Sequence, residues 1–303
     1  MGAAAWLVGC GGPQEAADVQ VVAERSGPLE VRTTTFPMDW LTRRIGGEDV
    51  SVRCMLPEGK DAAHWHPSGT AVAELVSVDL VVANGAGLEH WMSTASLPSD
   101  RVLYTAKGVE IIDLGVSTHS HGAGEHSHAE LDPRVWMDPM RLLHQATSIH
   151  QGLSSRDAEH AGAYDAALTV LREELDALDR DLASAMAPLQ GRKIASSGPA
   201  YNYLAQRYGL TVRPFKLDPS SLPDAGQVEA LRVWAGAGDM PILIWTEAPV
   251  EGVIAAFGAG VTHVVLDPLD QPGPDGYDYM EQARANLESL RAIEVAEPKV
   301  ATP

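Results

Sequence analysis

Two short segments of the chain place histidines at alternate positions, a spacing that suits metal coordination. His64 and His66 flank a tryptophan in KDAAHWHPSG, residues 60–69. The segment HSHGAGEHSH, residues 119–128, carries the same spacing twice. Neutral imidazole is a common metal ligand, and His-rich tracts bind Zn²⁺, Cu²⁺ or Ni²⁺. These residues therefore predict metal binding, with solvent-exposed surface histidines as the alternative.

The second segment lies within residues 117–130, which contain no apolar side chain larger than alanine. This composition predicts a solvated or disordered loop. We expect an auxiliary metal site on it, formed by His119, His121, His126 and His128. Because ordering a flexible loop costs conformational entropy, its affinity should be lower than that of a preformed site.

Elements that could position such residues follow from the alternation of β-rich and helix-compatible segments. Strands are expected at 29–36, 50–57, 78–85, 101–106, 109–115, 192–198, 210–217, 241–247 and 262–268. Helices are expected at 38–46, 69–77, 200–209, 224–238, 250–260 and 277–293. The alternation predicts an α/β fold with two lobes, each a mostly parallel sheet covered by helices.

One long helix, expected at 155–189, separates the two series of strands. Apolar residues recur along it at spacings of three and four, namely Leu168, Leu171, Leu175, Leu178, Leu182 and Met186. This stripe predicts a rigid helix that joins the lobes, with a coiled-coil seam to a partner as the alternative. The expected division is a tether at 1–27, a first lobe at 28–153, a linking helix at 154–189 and a second lobe at 190–296.

Ligands of open α/β sheets bind beyond the carboxyl ends of the strands. His64 and His66 follow the second expected strand, and Glu247 and Asp267 follow two strands of the second lobe. Imidazoles and carboxylates that converge from both lobes suit Zn²⁺, with Mn²⁺ the less favoured metal. We therefore expect a metal site formed by His64, His66, Asp267 and Glu247.

An enzyme is not expected. Ser196 and Ser197 could be combined with His66 and Asp267 as nucleophile, base and orienting acid. However, no nucleophile elbow or comparable signature surrounds these serines. The net charge of −19, without a Lys/Arg stripe, also excludes nucleic acid as a partner.

The beginning of the chain predicts export. The segment MGAAAWLVGC is a short apolar run that ends in a small residue and Cys10, which resembles a bacterial lipoprotein processing site. We expect a periplasmic or cell-surface protein, lipid-anchored through Cys10. No apolar run reaches the ~18 residues that a membrane-spanning helix needs.

Several ordered blocks resemble a known family. They include VDLVVANGAGLEHWM (78–92), LDPRVWMDP (131–139) and VVLDPLDQPGPDGYDYM (264–280). From about residue 29 to 293 the chain resembles the periplasmic zinc/manganese-binding proteins of metal ABC transporters, the cluster A-I solute-binding proteins. The resemblance implies a metal site in a cleft between two lobes, and delivery of the metal to a membrane permease. We expect a monomer.

The family's ligand positions are largely altered in this chain. The resemblance places the four ligands at Ala63, Arg134, Gly198 and Asp267, of which only Asp267 could bind a metal; His64 lies one residue from the first position. Arg134 would repel a divalent cation. We expect an Arg134–Asp267 ion pair in place of metal and ligand, since a buried carboxylate needs a counter-charge.

Three interpretations of the cleft stay open. A rearranged set of ligands could bind zinc. Alternatively, a family member that has lost the usual metal site could bind another small ligand or partner, such as an anion or metal chelate held by Arg134, Ser196 and Ser197. The third interpretation is a ligand-free relic or an interaction module.

Overall fold

The computed structural model of the chain describes residues 1–2, 27–120, 125–236, 241–258, 260–273 and 276–293. It contains two four-stranded sheets in which every pair of neighbouring strands is parallel, and one two-stranded antiparallel hairpin. The predicted α/β class with two parallel sheets is thus confirmed. None of the helices within these residues combines the length and the apolar character that crossing a bilayer requires.

The first sheet has the strand order β2-β1-β3-β4. Its strands are β1 (Leu29–Thr33), β2 (Val50–Cys54), β3 (Leu80–Ala83) and β4 (Val102–Tyr104). Its helices are α1 (Phe36–Gly46), α2 (Gly69–Ser77) and α3 (Pro139–Ser154). The start of α3 is set by Asp138, whose carboxylate accepts hydrogen bonds from the N–H groups of Met140 and Arg141.

The second sheet has the order β10-β9-β7-β8. The strands are β7 (Ile194–Ser196), β8 (Val212–Pro214), β9 (Ile242–Trp245) and β10 (Thr262–Val265). The helices around it are α5 (Asn202–Tyr208), α6 (Ala225–Ala235), α7 (Glu251–Phe257) and α8 (Tyr279–Arg291). A capping box between Asp224 and Gln227 fixes the start of α6.

Alternate residues of the central strands enter different apolar clusters. In β3, Leu80 and Val82 join the central core, whereas Val81 and Ala83 pack with Leu75 of α2 on the opposite face. Strand β9 repeats this division between the central core and an outer cluster. Burial on both faces explains why these strands read as continuous apolar runs in the sequence.

The linking helix α4 spans Ala161–Met186, which is shorter than the expected 155–189. Its 26 residues extend about 39 Å at 1.5 Å per residue. The predicted stripe is buried from Leu171 to Met186 within one core that contains residues of both sheets. Because α4 packs against α1 and α3 on the one hand and α8 on the other, the stripe has its partners inside the chain and needs no coiled-coil seam.

Residues 117–130 were expected to form a solvated or disordered loop, and this prediction was wrong for the backbone that is described. Strands β5 (Asp113–Ser120) and β6 (Glu125–Leu131) pair as an antiparallel hairpin. The register pairs His119 with His126 and Ser117 with His128. Polar residues can form such a ribbon because its hydrogen bonds join backbone groups and need no apolar face.

The close approach of α1 to β2 generates a stability prediction. A Cβ atom at Gly46 would lie 2.2 Å from Val50 Cγ2, whereas one at Gly162, also helical, meets no atom within 4 Å. We expect Gly46→Ala to lower the free energy of unfolding by about 1–3 kcal/mol through overpacking. Gly162→Ala, the matched control, should be neutral or stabilising by up to about 1 kcal/mol. Urea denaturation measures both, and a Gly46→Ala variant as stable as the wild type would show that Val50 can move aside.

Candidate ligand-binding cleft

A cleft of about 960 Å³ lies between the two lobes at the carboxyl ends of their strands. The first lobe contributes residues that follow β1, β2 and β3, and the second contributes residues that follow β7 and β10. The charged or titratable side chains among them are Lys60, Asp61, His64, His90, Arg134 and Asp270. This position matches the expected place for a ligand in open α/β sheets.

The segment after the hairpin holds the two lobes together beside this cleft. The carbonyl of Asp132 accepts a hydrogen bond from Tyr203 Oη at 2.7 Å. The indole N–H of Trp136 donates a hydrogen bond to the carbonyl of Pro268 at 3.0 Å. The backbone carbonyl of Trp136 accepts one from Tyr279 Oη at 2.7 Å. These contacts fix residues 132–136 against the second lobe, and Arg134 with them.

A second contact closes one side of the cleft. The side-chain amide of Gln271 accepts a hydrogen bond from the N–H of Gly59 at 3.0 Å and donates to the carbonyl of Lys60 at 2.9 Å. Gln282 supports Gln271 by donating to its carbonyl at 3.0 Å. The loop after β2, which contains His64, is therefore clasped to the loop after β10.

A buried carboxylate shapes the wall formed by the loop after β3. Glu89 accepts hydrogen bonds from the hydroxyl of Thr34 at 2.6 Å and from the N–H groups of Asn84 at 2.8 Å and Gly85 at 2.9 Å. Burial raises the pKa of Glu89, while these donors act against that rise. The tightly held turn lets Ala86, with a positive φ of 53°, face the cleft.

The expected metal residues do not meet in this structure. His64 lines the cleft, with its side chain 86% exposed and Nδ1 2.7 Å from Asp61 Oδ2. His66 is exposed and does not line the cleft, and Glu247 is exposed as well. His66 diverges because Trp65, next to it, packs edge-on against Trp91 at 5.7 Å between ring centroids. Within the described ranges, no three His, Cys, Asp or Glu side chains form a group that could hold a metal ion.

Asp267 forms no ion pair with Arg134, so the expected replacement of metal by this pair is wrong. The carboxylate of Asp267 accepts hydrogen bonds from the N–H of Leu269 at 2.7 Å and from the amide of Gln282 at 3.1 Å. Arg134 Nη1 instead lies 3.8 Å from Asp132 Oδ1. Burial raises the pKa of Asp267, and neutral donors satisfy it, so it needs no counter-charge.

The serines that an enzyme would require are occupied elsewhere. The hydroxyl of Ser196 donates to the carbonyl of Gly198 at 2.8 Å, and that of Ser197 accepts from the N–H of Thr246 at 3.2 Å. Neither serine lines the cleft with Arg134, so the anion site expected from the three residues is not assembled.

Two further predicted residues lie outside the described residues. They are His121 of the auxiliary metal site and Cys10, the expected lipidation residue.

Three residues of the cleft were not singled out from the sequence: Asp61, Asp270 and Gln271. Asp61 organises the turn after β2, where its carboxylate accepts from the N–H of Ala63 at 2.9 Å and contacts His64. Burial opposes ionisation of Asp61, but the bonds from His64 and Ala63 and the charge of Arg134 lower its pKa. Asp270 lies three residues after Asp267 in the same strand-end loop, and this proximity could have identified it from the sequence as a residue of the cleft.

Comparison with known proteins identifies the family of this architecture. The family model described as "Zinc-uptake complex component A periplasmic" matches residues 31–293. The chain is 25% identical over 302 residues to the zinc-binding lipoprotein AdcA of Streptococcus pneumoniae serotype 4, covering 95% of this chain and 58% of that protein. It is 27% identical over 295 residues to the zinc-binding protein AdcA of Streptococcus pyogenes serotype M3, covering 90% and 57%. The chain thus spans less than two thirds of the length of these relatives.

Solved structures show the same fold. The metal-dependent lipoprotein YcdH of Bacillus subtilis superposes with a TM-score of 0.75 at 21% identity, covering 87% of this chain and 98% of that one. The Zn(II)-bound ZnuA-like domain of Streptococcus pneumoniae AdcA gives a TM-score of 0.74 at 24% identity, covering 88% and 98%. At these identities the similarity supports the architecture of two lobes around a cleft.

The Gln271 clasp generates a prediction about local opening. Gln271→Ala removes two hydrogen bonds worth about 1 kcal/mol each, so the amides of residues 59–65 should exchange with solvent about thirtyfold faster. Global stability should fall by less than about 2 kcal/mol. Gln151→Ala, on the exposed face of α3, is the matched control. Hydrogen–deuterium exchange with peptide resolution measures the effect, and unchanged exchange at 59–65 would rule out the clasp.

Proposed function

The chain belongs to the periplasmic zinc-uptake component A family, and from this premise we propose that it is an extracytoplasmic solute-binding protein that captures Zn²⁺ for an ABC permease. The family is one of solute-binding transport proteins. The named zinc-binding relatives and the cleft between the lobes support the proposal. In this proposal the protein acts as a monomer held at the membrane through a lipid on Cys10, with Mn²⁺ as the less favoured metal.

The register of the histidine hairpin is the observation that carries zinc capture. His119 and His126 are cross-strand partners, and His128 pairs with Ser117, two residues from His119. The register thus brings His119, His126 and His128 to neighbouring positions of the two paired strands. Imidazoles at neighbouring positions of a ribbon are a recurrent way to supply several ligands to one metal ion.

The base of the hairpin adjoins the cleft. Leu114, near the start of β5, and Leu131, at the end of β6, line the cleft together with His64. His64 faces Asp61 with Nδ1, which leaves Nε2 available to a metal. In our proposal the hairpin captures zinc and His64 contributes at the rim, whereas Glu247 and His66 take no part.

A second candidate function is the binding of another small ligand by a family member that has lost the usual metal site. The specific observation that favours it is the presence of Arg134 in the cleft wall, at a ligand position of the family. Ala63 and Gly198 stand at two further ligand positions and offer no donor side chain. The two functions are compatible because they share only His64: the other zinc ligands belong to the hairpin, whereas Arg134 belongs to the cleft wall.

Zinc titration tests capture by the hairpin. Replacing His119, His121, His126 and His128 with serine should weaken binding of Zn²⁺ at least about tenfold, since the loss removes the imidazole ligands. Binding to the wild type should also weaken at least about tenfold between pH 7.5 and 5.5, because imidazole protonates near pH 6.5. His144→Ser with His150→Ser, in α3, is the matched control. Isothermal titration calorimetry measures each affinity, and equal affinities of the four-serine variant and the wild type would refute capture by the hairpin.

Restoring the family's ligands tests whether the cleft retains its geometry. The triple variant Ala63→His, Arg134→His and Gly198→His, together with the native Asp267, should lower the Kd for Zn²⁺ at least about a hundredfold. A side chain fits at Gly198, because a Cβ atom there would lie 3.8 Å from Thr246 Cγ2. Arg134→His alone is the control and should give a much smaller gain. Calorimetry in the hairpin four-serine background measures the new site, and no gain in the triple variant would show that these positions do not converge.

A further inference from the structure

The guanidinium of Arg134 lies in the cleft wall without a hydrogen-bond acceptor in the described part of the chain. Its side chain is 29% exposed, and Nη1 is 3.8 Å from Asp132 Oδ1, beyond hydrogen-bond distance. The carboxylate of Asp132 is already engaged, because Oδ1 accepts from the N–H of Arg134 at 3.0 Å and Oδ2 from Asn202 at 2.8 Å. A partly desolvated guanidinium offers five N–H donors in a planar fork that matches a carboxylate.

Two carboxylates from opposite lobes line the same cleft. Asp61 follows β2 in the first lobe, and Asp270 follows β10 in the second. The positive charge of Arg134 favours the ionised form of each, although burial raises the pKa of Asp270. The cleft wall therefore combines the guanidinium of Arg134 and the exposed ammonium of Lys60 with two carboxylates, and the pKa is lowered at Asp61 and raised at Asp270.

This arrangement sets attraction against repulsion for a simple ion. Arg134 repels a divalent cation that Asp61 and Asp270 attract, and the two carboxylates repel an anion that Arg134 attracts. A dipolar ligand avoids both costs if its negative end meets Arg134 and its positive end meets the two carboxylates. The cleft of about 960 Å³ also falls within the range of small-molecule sites and exceeds the space of one ion.

We propose that the cleft binds an aminocarboxylate, either a free α-amino acid or its zinc complex, with the carboxylate on Arg134 and the amine end towards Asp61 and Asp270. The proposal rests on the role of a solute-binding protein and names the class of its cleft ligand. Bidentate pairing with guanidinium orients the carboxylate. In the zinc complex the amine would coordinate the metal, and His64, which lines the cleft and contacts Asp61 through Nδ1, would supply Nε2 as a further ligand.

Calorimetry on the full-length four-serine variant of the hairpin tests the cleft separately from zinc capture. The probes are the twenty amino acids, each alone and with equimolar Zn²⁺, together with acetate, methylamine and Zn²⁺ alone. We expect at least one aminocarboxylate to bind with one site per chain, and acetate, methylamine and Zn²⁺ alone to give no binding in the cleft. Binding that needs no zinc identifies the free amino acid, whereas binding only with zinc, weakened by His64→Gln, identifies the complex.

Charge variants then assign the binding to the proposed contacts. Arg134→Gln should lower the affinity for the aminocarboxylate at least about tenfold, because the substitution removes a charge-assisted pair of hydrogen bonds. Arg134→Lys should recover part of that loss, and Arg172→Gln, on the exposed face of α4, is the matched control. Asp270→Asn tests the other end of the ligand and should also weaken binding, so the test does not depend on one variant folding.

The proposal is overturned if no aminocarboxylate binds, if binding is insensitive to both Arg134→Gln and Asp270→Asn in folded protein, or if Zn²⁺ alone occupies the cleft. Each of these results leaves zinc capture by the hairpin standing, since that function is measured on the chain with its histidines intact. Conversely, a hairpin that binds no zinc leaves aminocarboxylate binding in the cleft unaffected.

Discussion

The hydrogen bonds that tie the segment after the hairpin to the second lobe are the constraint on which the cleft depends. Asp132 and Trp136 belong to the chain that leads from the first sheet into α3, yet their partners Tyr203, Pro268 and Tyr279 lie beyond α4. Buried polar groups that lose their partners carry a substantial desolvation cost. These hydrogen bonds therefore hold the lobes at a defined separation and keep Arg134 in the cleft wall between them.

Periodicity in the sequence predicted those elements whose burial is local and repetitive. Both sheets were found because parallel strands are buried on two faces, and α4 was found through its leucine stripe. The first residue of α4 was predicted too early in the chain because the true start depends on side-chain contacts. Just before the helix, the carboxylate of Asp157 accepts a hydrogen bond from Tyr164 Oη at 2.7 Å and contacts His160 Nδ1. The β5–β6 hairpin was missed because register between two polar segments leaves no mark in composition.

The candidate site was predicted only in part, for reasons of orientation. The spacing of His64 and His66 correctly indicated a strand-end loop, but the packing of Trp65 turns the two imidazoles to different environments. Asp267 was expected to need a cation, whereas Gln282 and a backbone N–H satisfy it. Contacts of this kind depend on residues that are distant in the sequence or on the geometry of a single turn. No sequence pattern predicts them. The clasp formed by Gln271 is of the same kind.

Retention of the fold and retention of the ligands are separable in this architecture. The hydrogen bonds between the lobes use backbone carbonyls, tyrosine hydroxyls and the indole N–H of Trp136, and none of these groups lies at a position where the sequence resemblance places a ligand. Side-chain changes at Ala63, Arg134 and Gly198, where the sequence resemblance places metal ligands, therefore leave these hydrogen bonds intact. In this chain the cleft wall contains the guanidinium of Arg134 together with the carboxylates of Asp61 and Asp270. Because function lies in the site and not in the fold, the same two lobes can enclose sites of different chemistry.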